Sequence, residues 1–382
     1  MKKVISIATI ITVLCACGTD PNQGTLTQNV GASFATCSDA EIKYMASRHN
    51  LMTAFEPCGA NRFQYFSWAP DGKHLYFQLV MTGYVMDADA DDKATVTVPT
   101  TEPLGPPAWL SAARLILFVG PEQGDETKPN RLALFDIDQS SVMYQDLPGI
   151  SDATDLQRVS NAELLFLGKM NGGPPTVFRH NVEMGATTVA FPWHSGPVET
   201  LAYTPQQDAL SIGHENTVTL YKGETGNVIE SWTPAIRGTL HPKGDWMALE
   251  FEGESISIFN QRAWDELSEN ARARELARLK DFEDRLPDGY ETMVRPPSIS
   301  VVDMKTKKRW AFTGFLGYRW QWYEAADYYA SFMLWGFEGK QYKRNVMLGN
   351  IADRLNTIER EGTMMGTVPF VAPKEPDKNE GE

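Results

Sequence analysis

Carboxylates at alternate positions, Asp87-x-Asp89-x-Asp91, are the residues whose spacing most directly suggests chemistry. Three oxygens on one short loop can begin a calcium site. Such a loop also needs glycine at its sixth position and glutamate at its twelfth, where the chain has Asp92 and Val98. The segment therefore reads as a solvated turn between strands, and no metal is assigned. The histidines, His49, His74, His180, His194, His214 and His241, show neither the i, i+2 nor the i, i+4 spacing of local metal ligands. They read as turn and strand residues. No Gly-x-Ser-x-Gly elbow, dinucleotide glycine motif or phosphate-binding loop occurs. The expectation is a chain with no catalytic residue and no cofactor.

Cysteine chemistry points instead to export. Lys2 and Lys3 precede an apolar run from Val4 to Leu14, which ends in Leu14-Cys15-Ala16-Cys17-Gly18. A basic start, a short apolar stretch and small residues describe a secretory signal over residues 1–16. That stretch falls short of the roughly 20 apolar residues of a permanent membrane helix. Its end resembles the lipobox of bacterial lipoproteins, in which the cysteine becomes a diacylated N-terminus. The resemblance implies that Cys17 carries the lipid and holds the protein on a bilayer. Gly18 in place of an aspartate implies the outer membrane, on its periplasmic side. Residues 17–33 are small and polar and are expected to form a flexible tether. Cys37 and Cys58, the remaining thiols of an exported chain, are expected to form one disulfide closing the segment 34–60. By loop entropy it contributes about 3 kcal/mol.

The formal net charge is −14, and becomes −16 once Lys2 and Lys3 leave with the signal. Such a surface repels nucleic-acid phosphates and anionic headgroups, so membrane association should rest on the lipid. Residues 373–382 are expected to be a disordered acidic tail.

The elements that would position any site are repeats. Phe66 opens FSWAPDGKHLYFQLV, in which Pro70-Asp71-Gly72 makes a tight turn before an apolar strand from His74 to Val80. Further strands are expected at Tyr84–Met86 and Ala94–Val98, making one small antiparallel sheet. Weaker copies place turns at Ser111, Asn161, Gln206, Lys243 and Glu324, each leading into an apolar strand. The intervals from Asp71 onward are 40, 50, 45, 37 and 81 residues. Most lie near the roughly 40–50 residues of a four-stranded propeller blade. The doubled interval holds a helical pattern from Gln261 to Leu286, with Trp264, Leu267, Leu279 and Phe282 on one face.

The unit at Phe66 resembles the repeat of TolB-type propellers, through Ser67, Pro70, Asp71, Gly72 and Val85-Met86-Asp87-Ala88-Asp89. The fold class is accordingly all-β: a β-propeller of six, or seven, four-stranded antiparallel blades over 61–372. A helical insertion (261–296) lies in blade five, and a short helical segment precedes the ring. The resemblance implies a scaffold that acts by contact with envelope proteins, peptides or polymers. The alternative is an enzyme or small-ligand binder whose residues converge on the channel from several blades. Serine hydrolases of the prolyl oligopeptidase family carry a similar propeller, but the elbow motif they need is missing. The aromatics Tyr318, Trp320, Trp322, Tyr323, Tyr328, Tyr329 and Trp335 crowd one stretch and read as packing between blades.

Overall fold

The computed structural model describes residues 23–25, 27–30, 43–46, 52–56, 63–79, 82–87, 94–98, 105–119, 130–252, 256–257, 268–270, 293–294, 297–312, 316–338, 341–352, 355 and 367–369. Strands form where short apolar runs are bounded by turn residues, and their burial depends on where they lie in a sheet. Arg114–Val119 (RLILFV) is buried at every position but its first, as a continuous apolar run covered on both faces should be. Ala186–Val189 (ATTV), an outermost strand, has no buried residue.

The strands assemble antiparallel sheets, numbered here in chain order. Sheet I contains Phe63–Trp68, His74–Leu79, Thr82–Asp87 and Ala94–Val98, and sheet II contains Ala108–Trp109, Arg114–Val119, Arg131–Asp136 and Ser141–Asp146. Sheet III contains Ile150–Arg158, Glu163–Met170, Pro175–Asn181 and Ala186–Val189, and sheet IV contains Thr200–Thr204, Ala209–His214, Thr217–Lys222 and Val228–Trp232. Sheet V contains Arg237–Leu240, Trp246–Glu252, Pro297–Asp303 and Arg309–Phe312. Sheet VI contains Leu316–Trp322, Tyr329–Glu338 and Gln341–Asn350, and takes Met52–Glu56 as its next strand. The first strands of consecutive sheets are neighbours, which is the arrangement of a β-propeller around a central channel.

Apolar side chains fill the spaces between sheets. Tyr76 and Val85 of sheet I meet Leu115 and Phe135 of sheet II, and Phe118 of sheet II meets Phe166 of sheet III at 5.2 Å between ring centroids. Between sheets V and VI, Trp246 and Trp310 pack against Trp320, Trp322 and Phe332. The crowded aromatics that can be described there are thus mainly core.

Sheet VI returns to sheet I and closes the ring. Trp68 Nε1 donates to Ser331 Oγ (2.9 Å), Gln321 Nε2 to the Phe66 carbonyl (3.2 Å), and the Tyr323 hydroxyl to the Gly72 carbonyl (3.0 Å). The outer closure is topological: Met52–Glu56 pairs with Gln341–Asn350, so an early segment completes the sheet built from the latest strands.

Several expectations need correction. The segment 34–60 was expected to precede the ring with a short helix; instead Lys43–Ala46 and Met52–Glu56 are strands of sheet VI. Two strands fall within the expected tether, Gln23–Thr25 against sheet II and Thr27–Val30 against sheet I. Thr367–Pro369 likewise extends sheet V, so sheets I, II, V and VI carry five strands where four were expected. Outer strands have free edges, and any extended segment with open backbone groups can pair there whatever its side chains. That is why these additions leave little mark in the sequence.

The insertion in the fifth unit departs and returns between paired strands, since Glu252 lies opposite Pro297. Ile256–Ser257 and Met293–Val294 form a short ribbon at its base. Of the expected helix only Ser268–Asn270 is described, with Glu269 and Asn270 in helical geometry. The rest of it, the signal segment 1–16 and the tail 373–382 lie outside the described residues.

Candidate functional site

The turns recognised as repeats share a local chemistry that fixes where they sit. In sheet I, Gly72 N–H donates to the Ala69 carbonyl (2.9 Å) and Ala69 N–H to the His74 carbonyl (2.9 Å). In sheet V the same pair recurs, from Gly244 to His241 (2.8 Å) and from His241 to Trp246 (2.7 Å). Each such turn follows the first strand of its sheet. The turn positions therefore gather at one mouth of the channel, where a cavity of about 190 Å³ is lined by side chains from all the first strands.

Charged groups cross this mouth. Arg158, at the end of its strand in sheet III, is paired with Glu324, in the turn of sheet VI, three sheets further round the ring. Deeper, Arg237 Nη2 donates to Asp155 Oδ1 at 2.6 Å and its Nη1 to the Leu201 carbonyl at 3.4 Å. The second Asp155 oxygen accepts from the Leu201 N–H at 3.1 Å, so sheets III, IV and V are tied by one carboxylate. Burial opposes the charge on Arg237, but Asp155 and Glu250 outweigh it and hold the guanidinium above its ordinary value. Glu250 in turn accepts from the Trp320 N–H at 2.8 Å.

The third arginine is held differently. Arg319 lies over the Tyr65 ring, its Cζ 4.5 Å from the centroid, a cation–π contact. Its backbone φ is +61°, in a strand whose register shifts between Tyr318 and Gln321. Asp155 has φ +51° in a strand with register shifts of its own. Left-handed backbone at a non-glycine residue costs on the order of 1–3 kcal/mol and concentrates at functional positions. At Arg319 the bulged strand brings a charged residue into the cavity lining, and at Asp155 it serves the buried tie to Leu201 and Arg237. Around them stand tryptophans 68, 109, 320 and 322, the prolines of the turns, and the amides of Gln157, Gln206 and Gln321.

Of the aromatics and turn residues singled out in the sequence, Trp320, Trp322, Gln206 and Glu324 line this mouth, while none of the described histidines does. Cys17, Cys37, Cys58, His49, Asp89 and Asp91 lie outside the described residues. The strands Thr82–Asp87 and Ala94–Val98 on either side of the acidic run pair with each other. His74 stacks on Trp109 at 6.1 Å, His180 is fully buried, His194 sits against Tyr221, and His214 faces Glu199. His241 bonds Asp245 at 2.7 Å and stacks on Tyr328 at 4.7 Å. Burial pulls His241 below its ordinary value although Asp245 opposes this. Among the described residues no three histidines, cysteines or carboxylates cluster as a metal site.

Sequence reasoning missed Arg158, Arg237, Arg319 and Asp155. A weak signal existed. Three residues before its turn position, where Arg158 stands, the other units have Trp68, Ala108, Tyr203, Leu240 and Gln321, so a charge at that step stood out.

Neither a protein-family model nor a curated protein matches the sequence. Among solved structures the chain is similar to TolB from Acinetobacter baumannii, at 14% identity and a TM-score of 0.39. That match covers 79% of this chain and 65% of the other, so the chain spans just under two thirds of that protein's length. It is similar to a putative TolB from Agrobacterium tumefaciens at 11% identity and a TM-score of 0.41, covering 65% and 79% of the two chains. It is also similar to Kuenenia stuttgartiensis hydrazine synthase at 10% identity and a TM-score of 0.47, covering 84% and 83%.

Proposed function

We propose that this chain is a non-enzymatic, lipid-anchored scaffold of the bacterial envelope. In this reading a six-bladed propeller presents its channel mouth to an envelope protein, peptide or polymer. The lipid on Cys17 holds it to the outer membrane, on the periplasmic side, and Cys37 is joined to Cys58. The observation that carries the binding face is the mouth itself: a cavity lined from every sheet, walled by tryptophan and proline and crossed by charged groups. Aromatic walls with a few fixed polar groups are what a recognition site requires. The lipobox residues support the anchor.

One experiment tests both parts. A photo-crosslinking residue replaces Gln206, which is exposed at the rim, in otherwise full-length protein made in a Gram-negative envelope. A discrete adduct is expected, and Cys17→Ser should release the protein into the soluble envelope fraction. No adduct at Gln206, with one from the exposed Met184 instead, would move the contact face away from the channel. Labelling of the Cys17→Ser variant by a palmitate analogue would remove the anchor. A second reading, a small-ligand site, is favoured by the arginines in the cavity.

A further inference from the structure

The cavity at the mouth has a charge opposite to that of the protein around it. Its lining carries the guanidinium groups of Arg158, Arg237 and Arg319 and the carboxylate of Glu324, in a chain whose net charge is −14. The three arginines are not equivalent. Arg237 is consumed by buried Asp155 and by a carbonyl. Arg158 is bound to Glu324 across the channel, and that carboxylate is 40% exposed, so the pair is open to exchange. Arg319 has the Tyr65 ring beneath it, and among the described residues its guanidinium has no hydrogen-bond or carboxylate partner. The amides of Gln157 and Gln206, which line the same cavity, are likewise unused among the described residues.

We infer that the channel mouth is a carboxylate site, with Arg319 receiving the acid group and the tryptophan and proline walls taking an apolar ligand body. The inference rests on reading the mouth as the binding face and names the chemistry it selects. A guanidinium presents its donors as a planar fork that matches a carboxylate. Tyr65 fixes the plane of that fork, and the bulged, left-handed backbone at Arg319 fixes its position. Pre-set geometry of this kind lowers the cost of ordering on binding. One guanidinium with no carboxylate partner among the described residues matches one negative charge. A dianionic phosphate would add a further negative charge to a surface already strongly acidic, which disfavours it.

The probe is 3-phenylpropionate, a carboxylate on a short aromatic body, compared with 3-phenylpropanamide by calorimetry on the mature full-length chain. For a ligand of this size a dissociation constant in about the millimolar range is expected. The amide should bind about tenfold more weakly or less, and inorganic phosphate at equal concentration should not displace the acid. Arg319→Gln should weaken the acid about tenfold and leave the amide unchanged. Arg319→Lys, which keeps the charge and loses the fork, should fall between. Glu324→Gln frees Arg158 and should tighten the acid. Equal binding of acid and amide, displacement by phosphate, or unchanged acid binding in a folded Arg319→Gln variant would each overturn the inference. If the acid fails to bind while the crosslink from Gln206 persists, the mouth stands as a contact face and only its carboxylate preference falls. If the acid binds and the crosslink is lost, the small-ligand reading replaces the scaffold.

Discussion

At the scale of single residues, buried polar groups in this protein act as ties between sheets, and His180 shows how narrowly their protonation is specified. Gln145 of sheet II uses its amide nitrogen on the Val182 carbonyl, which leaves its oxygen facing His180 Nε2 at 2.9 Å. The histidine must therefore donate from Nε2, and its Nδ1 accepts from the Thr187 hydroxyl at 2.8 Å. This is a neutral ring in a dry site, and burial lowers its pKa to about 4. The unfolded chain, near the ordinary value of about 6.5, binds a proton first as the pH falls. The stabilisation is thus complete above about 6.5 and is lost as the pH drops toward about 4, by up to about 3 kcal/mol. Urea titrations at a series of pH values should show this slope, and His180→Gln should flatten most of it. His194 and His241, lowered in the same direction by burial, account for the slope that remains. An unchanged slope would mean that His180 is solvated. Nothing in the sequence distinguished His180 from the other histidines, because the Gln145 that fixes its tautomer comes from the neighbouring sheet. Arg319 was hidden for a related reason: its left-handed backbone follows from the register between Leu316–Trp322 and Tyr329–Glu338, which no local pattern encodes.

Among the elements, the turns were the most legible, since Pro70-Asp71-Gly72 has only a few conformations open to it. Gly72 adopts φ +73°, and Asp71 Oδ1 accepts from Lys73 N–H at 3.0 Å. What the sequence did not show is that the glycine serves a second purpose. A Cβ there would come within 1.8 Å of the Tyr323 hydroxyl, which reaches over from sheet VI to bond the Gly72 carbonyl. Gly72→Ala therefore carries both the left-handed penalty of roughly 1 kcal/mol and the loss of a ring-closing hydrogen bond worth about 1 kcal/mol. Chemical denaturation should show a loss of about 2–3 kcal/mol, larger than Tyr323→Phe alone. If the two variants cost the same, the left-handed backbone adds nothing and the close approach of Tyr323 alone demands glycine. The outer strands were the least legible elements. Ala186–Val189 and Val228–Trp232 are short and mostly solvent-facing, and the added strands Gln23–Thr25 and Thr27–Val30 pair with the outer strands of sheets II and I.

For the whole molecule, the question is which departures from a plain repeat the ring depends on. The sequence divided the chain at residue 61, with the propeller after it and a separate segment before it. The topology places that boundary inside the ring, because Met52–Glu56 lies against Gln341–Asn350 and joins the two ends of the chain in one sheet. The insertion at 261–296 is the opposite case. The doubled repeat interval marked it in the sequence, its expected helix lies almost entirely outside the described residues, and it leaves sheet V between two strands that pair with each other from Trp246–Asp303 to Glu252–Pro297. The pairing of those strands runs up to the point where the insertion leaves, so sheet V keeps its strand order without it. Two deletions should therefore behave oppositely. Replacing Gln261–Pro296 with a short Gly-Ser linker should preserve a β-rich circular dichroism spectrum and a cooperative melt, with a midpoint within a few degrees of the parent. Beginning the mature chain at Arg62, which removes both early strands of sheet VI, exposes the edge of Gln341–Asn350 and opens the closure. Loss of several kcal/mol there should lower the midpoint by more than about 10 °C at roughly 2–4 °C per kcal/mol. Each deletion has a result that contradicts it. A truncated chain that melts like the parent would mean the ring closes without its early strands, and an insertion deletion that unfolds the protein would place that segment in the core.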